Sequence, residues 1–290
     1  MAKLFYLCIG IMSSEEHNNP LNHSAKKDFW RWSELSFLGR VWRVLWVTML
    51  VLFGVTLLQV ALGRFLNPPL TPLMVQRFFE QAGDKGRSVR FERDYVSLDA
   101  ISPNLITAVV YSEDGLFMYH HGFDVKQMKK AWLGNRSGKR VRGGSTISQQ
   151  TAKNAFLPHS RTMFRKAVEA YYTVLIETLW GKHRIMEVYL NIIEFGDGIY
   201  GAEAASQHYF GHSADRLTRR EASQLAATLP SPVKRNPANP TPYFRKQTDI
   251  IAQRFSWGDV DIDMPRAKRR ERAGEDQSLV EFFFWMLKQK

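Results

Sequence analysis

Between Arg43 and Arg64 runs VLWVTMLVLFGVTLLQVALG, twenty residues from Val44 to Gly63 without a charge. As a helix it is about 30 Å long, the thickness of a bilayer's hydrocarbon core. Trp42 and Trp46 stand at one end, where amphipathic rings favour the headgroup level. A core helix is the other use of so long an apolar run. A cleavable signal fits worse, because the run is too long and no A-x-A-like site follows it. The span divides the chain into a leader of residues 1–43, a membrane helix of 44–63 and a large remainder. Lys3, Lys26, Lys27, Arg31, Arg40 and Arg43 precede it, and only Arg64 follows closely. By the positive-inside bias the N-terminus is cytoplasmic and the remainder lies outside.

Charge then narrows the partners. Of 40 basic and 28 acidic residues, seven and four lie in residues 1–66, which leaves 33 and 24 beyond them. The exported part is itself basic, which suits an anionic partner. Outside the cytoplasm this points to a membrane surface or membrane-borne phosphate rather than nucleic acid. Cys8 is the sole cysteine, so the chain forms no intramolecular disulfide.

NPPLTP, residues 67–72, reads as a stiff linker. Beyond it the pattern is mostly helical to Pro240. Ser102 and Pro103 form an N-terminal helix signal before an apolar run to Val110. Phe164 to Trp180, HRIMEVYLNIIEF and TRREASQLAATL are further helices, and RSVRFERDYVSL is the best short strand. Residues 125–142 hold seven basic residues and no acid, which reads as a solvated loop or a basic flap over an anionic substrate. After Pro240, PRAKRRERAGEDQ is an exposed charged segment. The aromatic end SLVEFFFWMLKQK suits a packed helix or a membrane contact.

Several chemistries drop out. Gly134 to Lys139 resembles a phosphate loop, but the spacing is short and Arg140 stands where Ser or Thr should be. Ser24 and Lys27 make an S-x-x-K on the cytoplasmic side, with no S-D-N or K-T-G after it. His120 and His121 are adjacent and point in different directions, and H-E-x-x-H is absent, which argues against zinc. Two acids remain. Glu113 sits near the end of an apolar helix, against the helix dipole, and desolvation there could make it a usable general base or acid. An exposed or ion-paired carboxylate is the ordinary alternative. Glu169 follows Arg161 and Arg165 along one helical stripe, a surface ladder or a diphosphate site that keeps a carboxylate for a cation.

Together the segments resemble one family. EDGLFMYHHG fits the E-D-x-x-F-x-x-H-x-G motif of peptidoglycan glycosyltransferases, RGGSTISQQTAKN the second motif G-x-S-T-I-x-Q-Q-x-x-K-N, and RKAVE the third, R-K-x-x-E. IMEVYLNIIEFGDGIYGAEAASQHYFG and EASQLAATLPSPVKRNP match the fourth and fifth, all in order between about residues 104 and 240. One span and no transpeptidase motif make the chain similar to the monofunctional biosynthetic branch, rather than to the class A penicillin-binding proteins that share the module.

The resemblance implies a mainly α fold: a lysozyme-like helical head with a smaller membrane-associated jaw, spanning 64–240, and a tail of unassigned role at 241–290. It implies polymerisation of lipid II into β-1,4-linked glycan strands, with inversion at MurNAc C1 and release of undecaprenyl diphosphate. Glu113 would be the general base and Glu169 the second essential glutamate, beside a divalent cation, Mg2+ or Mn2+, with no organic cofactor. Lys153, Arg161 and Lys130 match diphosphate contacts. Ser145, Gln149, Gln150, Asn154, Arg165 and Lys166 would shape the cleft, and Asp114, Phe117, His120 and Gly122 would hold the loop around Glu113. The implied partners are lipid II, the growing lipid-linked strand, the membrane, and cell-wall synthesis or division proteins. In a bacterium with two membranes the implied place is the inner membrane, catalytic domain in the periplasm. A lysozyme-like hydrolase would need an acid and a water beside a second carboxylate, but no diphosphate cluster. A silent cell-wall scaffold would need none of the motifs.

Overall fold

The computed structural model describes residues 36–84, 86, 88–136, 144–158, 160 and 162–264. The leader to residue 35, the later part of the basic stretch, Arg161 and the aromatic end of the tail lie outside the described residues. The class is the expected mainly α one, with one N-terminal helix of membrane length among the described residues.

That helix, α1 (Phe37–Gly63), is 27 residues long and begins before the expected Val44, so Arg40 and Arg43 lie within it. The chain divides within α1 into two compact units, after Thr56. In the first unit the described residues form a helix exposed almost throughout, with Trp42, Leu45, Leu50 and Leu52 open to the surroundings. An apolar helix without protein cover matches a hydrocarbon solvent, where every backbone group is satisfied internally.

The second unit begins with the last turns of α1. Val60 is fully buried, and its carbonyl accepts the Trp180 indole N–H at 2.8 Å. Arg184 donates to the carbonyls of Gly63 and Leu66 at 3.0 and 2.9 Å. Gly63 is needed for this close approach, since a Cβ there would sit 2.8 Å from the Trp180 ring. Then α2 (Pro72–Gly83) starts at a Thr71 cap with Pro72 in its first turn. A small sheet follows, with β1 (Glu92–Arg93) parallel to β3 (Ile199–Tyr200) and β2 (Glu194–Gly196) antiparallel to β3. The expected strand in residues 87–98 is thus only two residues long.

The helical core centres on α3 (Pro103–Glu113), whose residues Leu105 to Val110 are all buried. A helix apolar on every side has to be surrounded. The helices that follow are α4 (Val125–Arg136), α5 (Ile147–Phe156), α6 (Met163–Leu179), α7 (Lys182–Ile192), α8 (Ala202–Phe210), α9 (Arg219–Thr228) and α10 (Pro242–Gln253). The helix α9 packs on α3 and α10, and α5 packs on α6 and α7. The stretch read as a basic loop or flap is helical from Val125 to Arg136, because Asp124 caps it: its carboxylate accepts Gln127 N at 2.9 Å. Lys, Gln, Met and Ala within it are good helix formers. Order also runs past the expected boundary at 240, with Phe244, Thr248, Ile251, Phe255 and Met264 buried.

Candidate active site

Glu113 is the last residue of α3. Its Oε2 accepts the Gln150 side-chain N–H at 2.9 Å, and Gln150 Oε1 accepts the hydroxyl of fully buried Tyr189 at 3.3 Å. The carboxylate, which only accepts, fixes the amide N–H end of Gln150 toward Glu113 and leaves its oxygen for the phenol. Burial pushes the Glu113 carboxyl above its usual range, and the Gln150 hydrogen bond works against that rise. Neighbouring Asp114 adds to it, whereas Arg235 and Lys153 oppose it. A partly buried carboxyl with a raised pKa, already accepting one hydrogen bond, is equipped to take a proton near neutral pH.

The loop after Glu113 is locked by its neighbours. Buried Asp114 accepts from His120 Nε2 at 2.9 Å and from Ile147 N at 2.9 Å. Gly122 N donates to His120 Nδ1 at 3.1 Å, so the ring proton is on Nε2 and both ring nitrogens are occupied. Gly122 has φ +91°, and a Cβ there would meet Thr173 and Glu177 at 2.8 and 3.0 Å. Its carbonyl accepts Thr146 Oγ1 at 2.7 Å. Phe117 is fully buried against the His120 ring. Lys182 Nζ lies 4.4 Å over the Phe117 ring and pairs with Glu177 at 2.5 Å. Ser148 Oγ also donates to Glu177.

A second group lies on α5 and α6. Glu169 is 2% exposed, paired with Arg165 Nη1 at 2.5 Å and with Lys166 Nζ, which also donates to Ser145 Oγ at 3.1 Å. Lys153 joins the two groups electrostatically. Its burial lowers the ammonium pKa, with Glu169 opposing the fall, Arg165 and Lys166 deepening it, and Glu113 again opposing it. A lysine flanked by both glutamates and two further cations lies where an anion would be welcomed.

The expected residues therefore separate. Glu113, Gln150, Lys153, Glu169, Arg165, Lys166 and Ser145 form two linked clusters. Gln149 is spent on α5's own start: its side chain accepts Thr146 N at 3.0 Å, and Thr146 Oγ1 accepts Gln149 N in return. Asn154 is buried, and Lys130 is exposed on α4. Tyr189, Thr146, Ser148, Glu177, Lys182 and Arg235 were not singled out from sequence. Thr146 and Gln149 carry a capping-box signature, and Ser148, Tyr189 and Arg235 sit in quoted motifs, whereas Glu177 and Lys182 announce themselves only by contact.

Both oxygens of Glu169 are taken by cationic side chains. Among the described residues no three His, Cys, Asp or Glu side chains converge as metal ligands. The donors here do not form a built cation site.

The transglycosylase family model matches residues 81–256. A biosynthetic peptidoglycan transglycosylase of Caulobacter vibrioides is 49% identical over 218 residues, covering 75% of this chain and 92% of that protein. Proteins of the same name are similar in Pseudomonas aeruginosa, at 44% over 75% of this chain and 94% of theirs, and in Shewanella oneidensis, at 46% over 73% and 88%. With a match through the whole helical core and relatives alike over nearly their full length, the chain belongs to the transglycosylase family.

Proposed function

We propose that this transglycosylase is a peptidoglycan glycosyltransferase that polymerises lipid II at a membrane surface. The acceptor's GlcNAc 4-hydroxyl attacks MurNAc C1 of the growing lipid-linked strand. Glu113 takes the hydroxyl proton as the new C–O bond forms. The C1–O bond to diphosphate breaks on the opposite face, so the anomeric centre inverts to a β-1,4 link and undecaprenyl diphosphate leaves. A sugar hydroxyl is a poor nucleophile at neutral pH, and a positioned base contributes ~10²–10⁴-fold.

The observation that carries this reading is the pairing of a desolvated carboxylate, Glu113, with a separate cationic cluster around Lys153. Lys153, Arg165 and Lys166 supply positive charge where the departing diphosphate gathers negative charge. Glu169 holds Arg165 and Lys166 in place. Among the described residues no three His, Cys, Asp or Glu side chains gather beside Glu169 for the expected divalent cation. A hydrolase has no use for that cationic cluster.

In this reading α1 spans the inner membrane, with the N-terminus cytoplasmic and residues beyond 63 on the far side, so the substrate stays in the bilayer throughout. The test is incubation of the purified full-length protein with labelled lipid II. Long glycan strands support the transferase; shortening of preformed strands supports a hydrolase; no change to either leaves a scaffold.

A further inference from the structure

The tail that matched no motif reaches back to the helix that carries Glu113. Arg254 Nη1 donates to the carbonyl of Tyr111, in the last turn of α3. Its guanidinium also lies 5.7 Å from the Trp257 ring centroid, and Trp257 meets the Tyr111 ring edge-on at 5.5 Å. The Tyr111 hydroxyl donates to Gly258 O at 2.8 Å, and Val260 N donates to Thr107 Oγ1 at 3.1 Å. These contacts close a ring of four residues, Arg254, Tyr111, Trp257 and Gly258, with Val260 as a second tie.

The placement on the helix gives the ring its meaning. Thr107 and Tyr111 are four residues apart and share one stripe of α3. Tyr111 and Glu113 are two apart and lie on nearly opposite sides. The tail therefore grips the back of the last turn while Gln150 holds the carboxylate at the front. The final carbonyls of a helix lack intrahelical partners and tend to fray, and a cation there also complements the helix dipole. The family match ends at residue 256, so Trp257, Gly258 and Val260 lie beyond it.

We propose that residues 254–260 form a strap that positions Glu113, with Arg254 as its principal positioning residue. The strap makes no contact with substrate. It keeps the last turn of α3 wound, and so keeps the base at a fixed reach from the acceptor hydroxyl. A misplacement of about 1 Å costs on the order of 10²-fold in rate.

The inference rests on the proposed function for its kinetic arm and stands apart from it in a second. In the full-length protein, Arg254→Ala should lower kcat about 10- to 100-fold with KM within about twofold, as loss of positioning alone does. Arg254→Lys, which keeps a cationic donor, should recover most of that loss. Amide hydrogen exchange supplies the second arm: Arg254→Ala should speed exchange at residues 111–114 and leave α9 protected. Unchanged kcat in Arg254→Ala would overturn the strap. So would faster exchange throughout α3 and α9 without rescue by lysine, the mark of general unfolding. If wild-type protein forms no strands, the proposed function falls, and the exchange result alone decides the strap.

Discussion

Gln150 Nε2 donates to Glu113 Oε2 at 2.9 Å, and this is the hydrogen bond that holds the base's pKa down against its burial. A carboxylate that accepts a hydrogen bond is stabilised in its ionised form. Gln150→Leu should therefore move the acid limb of the kcat/KM profile to higher pH. The activity remaining above that limb should fall less than in a Glu113 variant. A profile with an unmoved acid limb would show that Gln150 does not tune the base.

Glu113→Gln should abolish strand formation, with a loss on the order of 10²–10⁴-fold for a missing base. The variant should nevertheless melt no lower than wild type. Because burial raises the folded-state pKa, ionising Glu113 costs stability as pH rises through that pKa, and a neutral amide removes the cost. Thermal melts at neutral pH, alongside the polymerisation assay, check both halves. Normal strand formation by this variant would remove Glu113 from the chemistry.

Lys153 should set the opposite limb. Its pKa is lowered by burial, so its charge is lost at a lower pH than that of an exposed lysine. Activity should fall on the alkaline side below the ordinary lysine range. Lys153→Met should remove that limb and reduce kcat by about 10²–10³-fold, the usual loss for one electrostatic donor to a developing anion. The pH profile of the variant, taken over the same range as wild type, is the measurement.

The membrane helix, the Ser102 cap and the helical spacing of α3 and α6 were legible because each is a local pattern. Glu113 was legible as an acid in an unfavourable place at a helix end. Its partners were not: Gln150 is 37 residues away, and Tyr189 is 39 beyond Gln150. The Arg165–Glu169 ladder was visible at i, i+4, whereas the burial that makes it more than a surface pair was not. The motif that contains Gln149 implies a cleft residue, whereas the Thr146-x-x-Gln149 spacing within it also spells a capping box. In α4 the charge run suggests a loop, whereas helix propensity and the Asp124 cap wind it into a helix. The tail ties to Tyr111 across more than 140 residues, which no local pattern encodes.

The Lys182–Glu177 pair beneath the loop offers a prediction about stability. The two side chains are 4% and 8% exposed, with nitrogen and oxygen 2.5 Å apart. Breaking such a pair from one side leaves an uncompensated charge and costs about 3–5 kcal/mol. Lys182→Met should fall in that range, because Glu177 then keeps the neutral Ser148 hydroxyl as a donor but loses its cation, as does the Phe117 ring. Adding Glu177→Gln removes the stranded charge while keeping an acceptor for Ser148. The double variant should therefore be more stable than Lys182→Met alone. A double-mutant cycle from chemical denaturation measures the difference, and additive losses would mean the two side chains do not act as a pair.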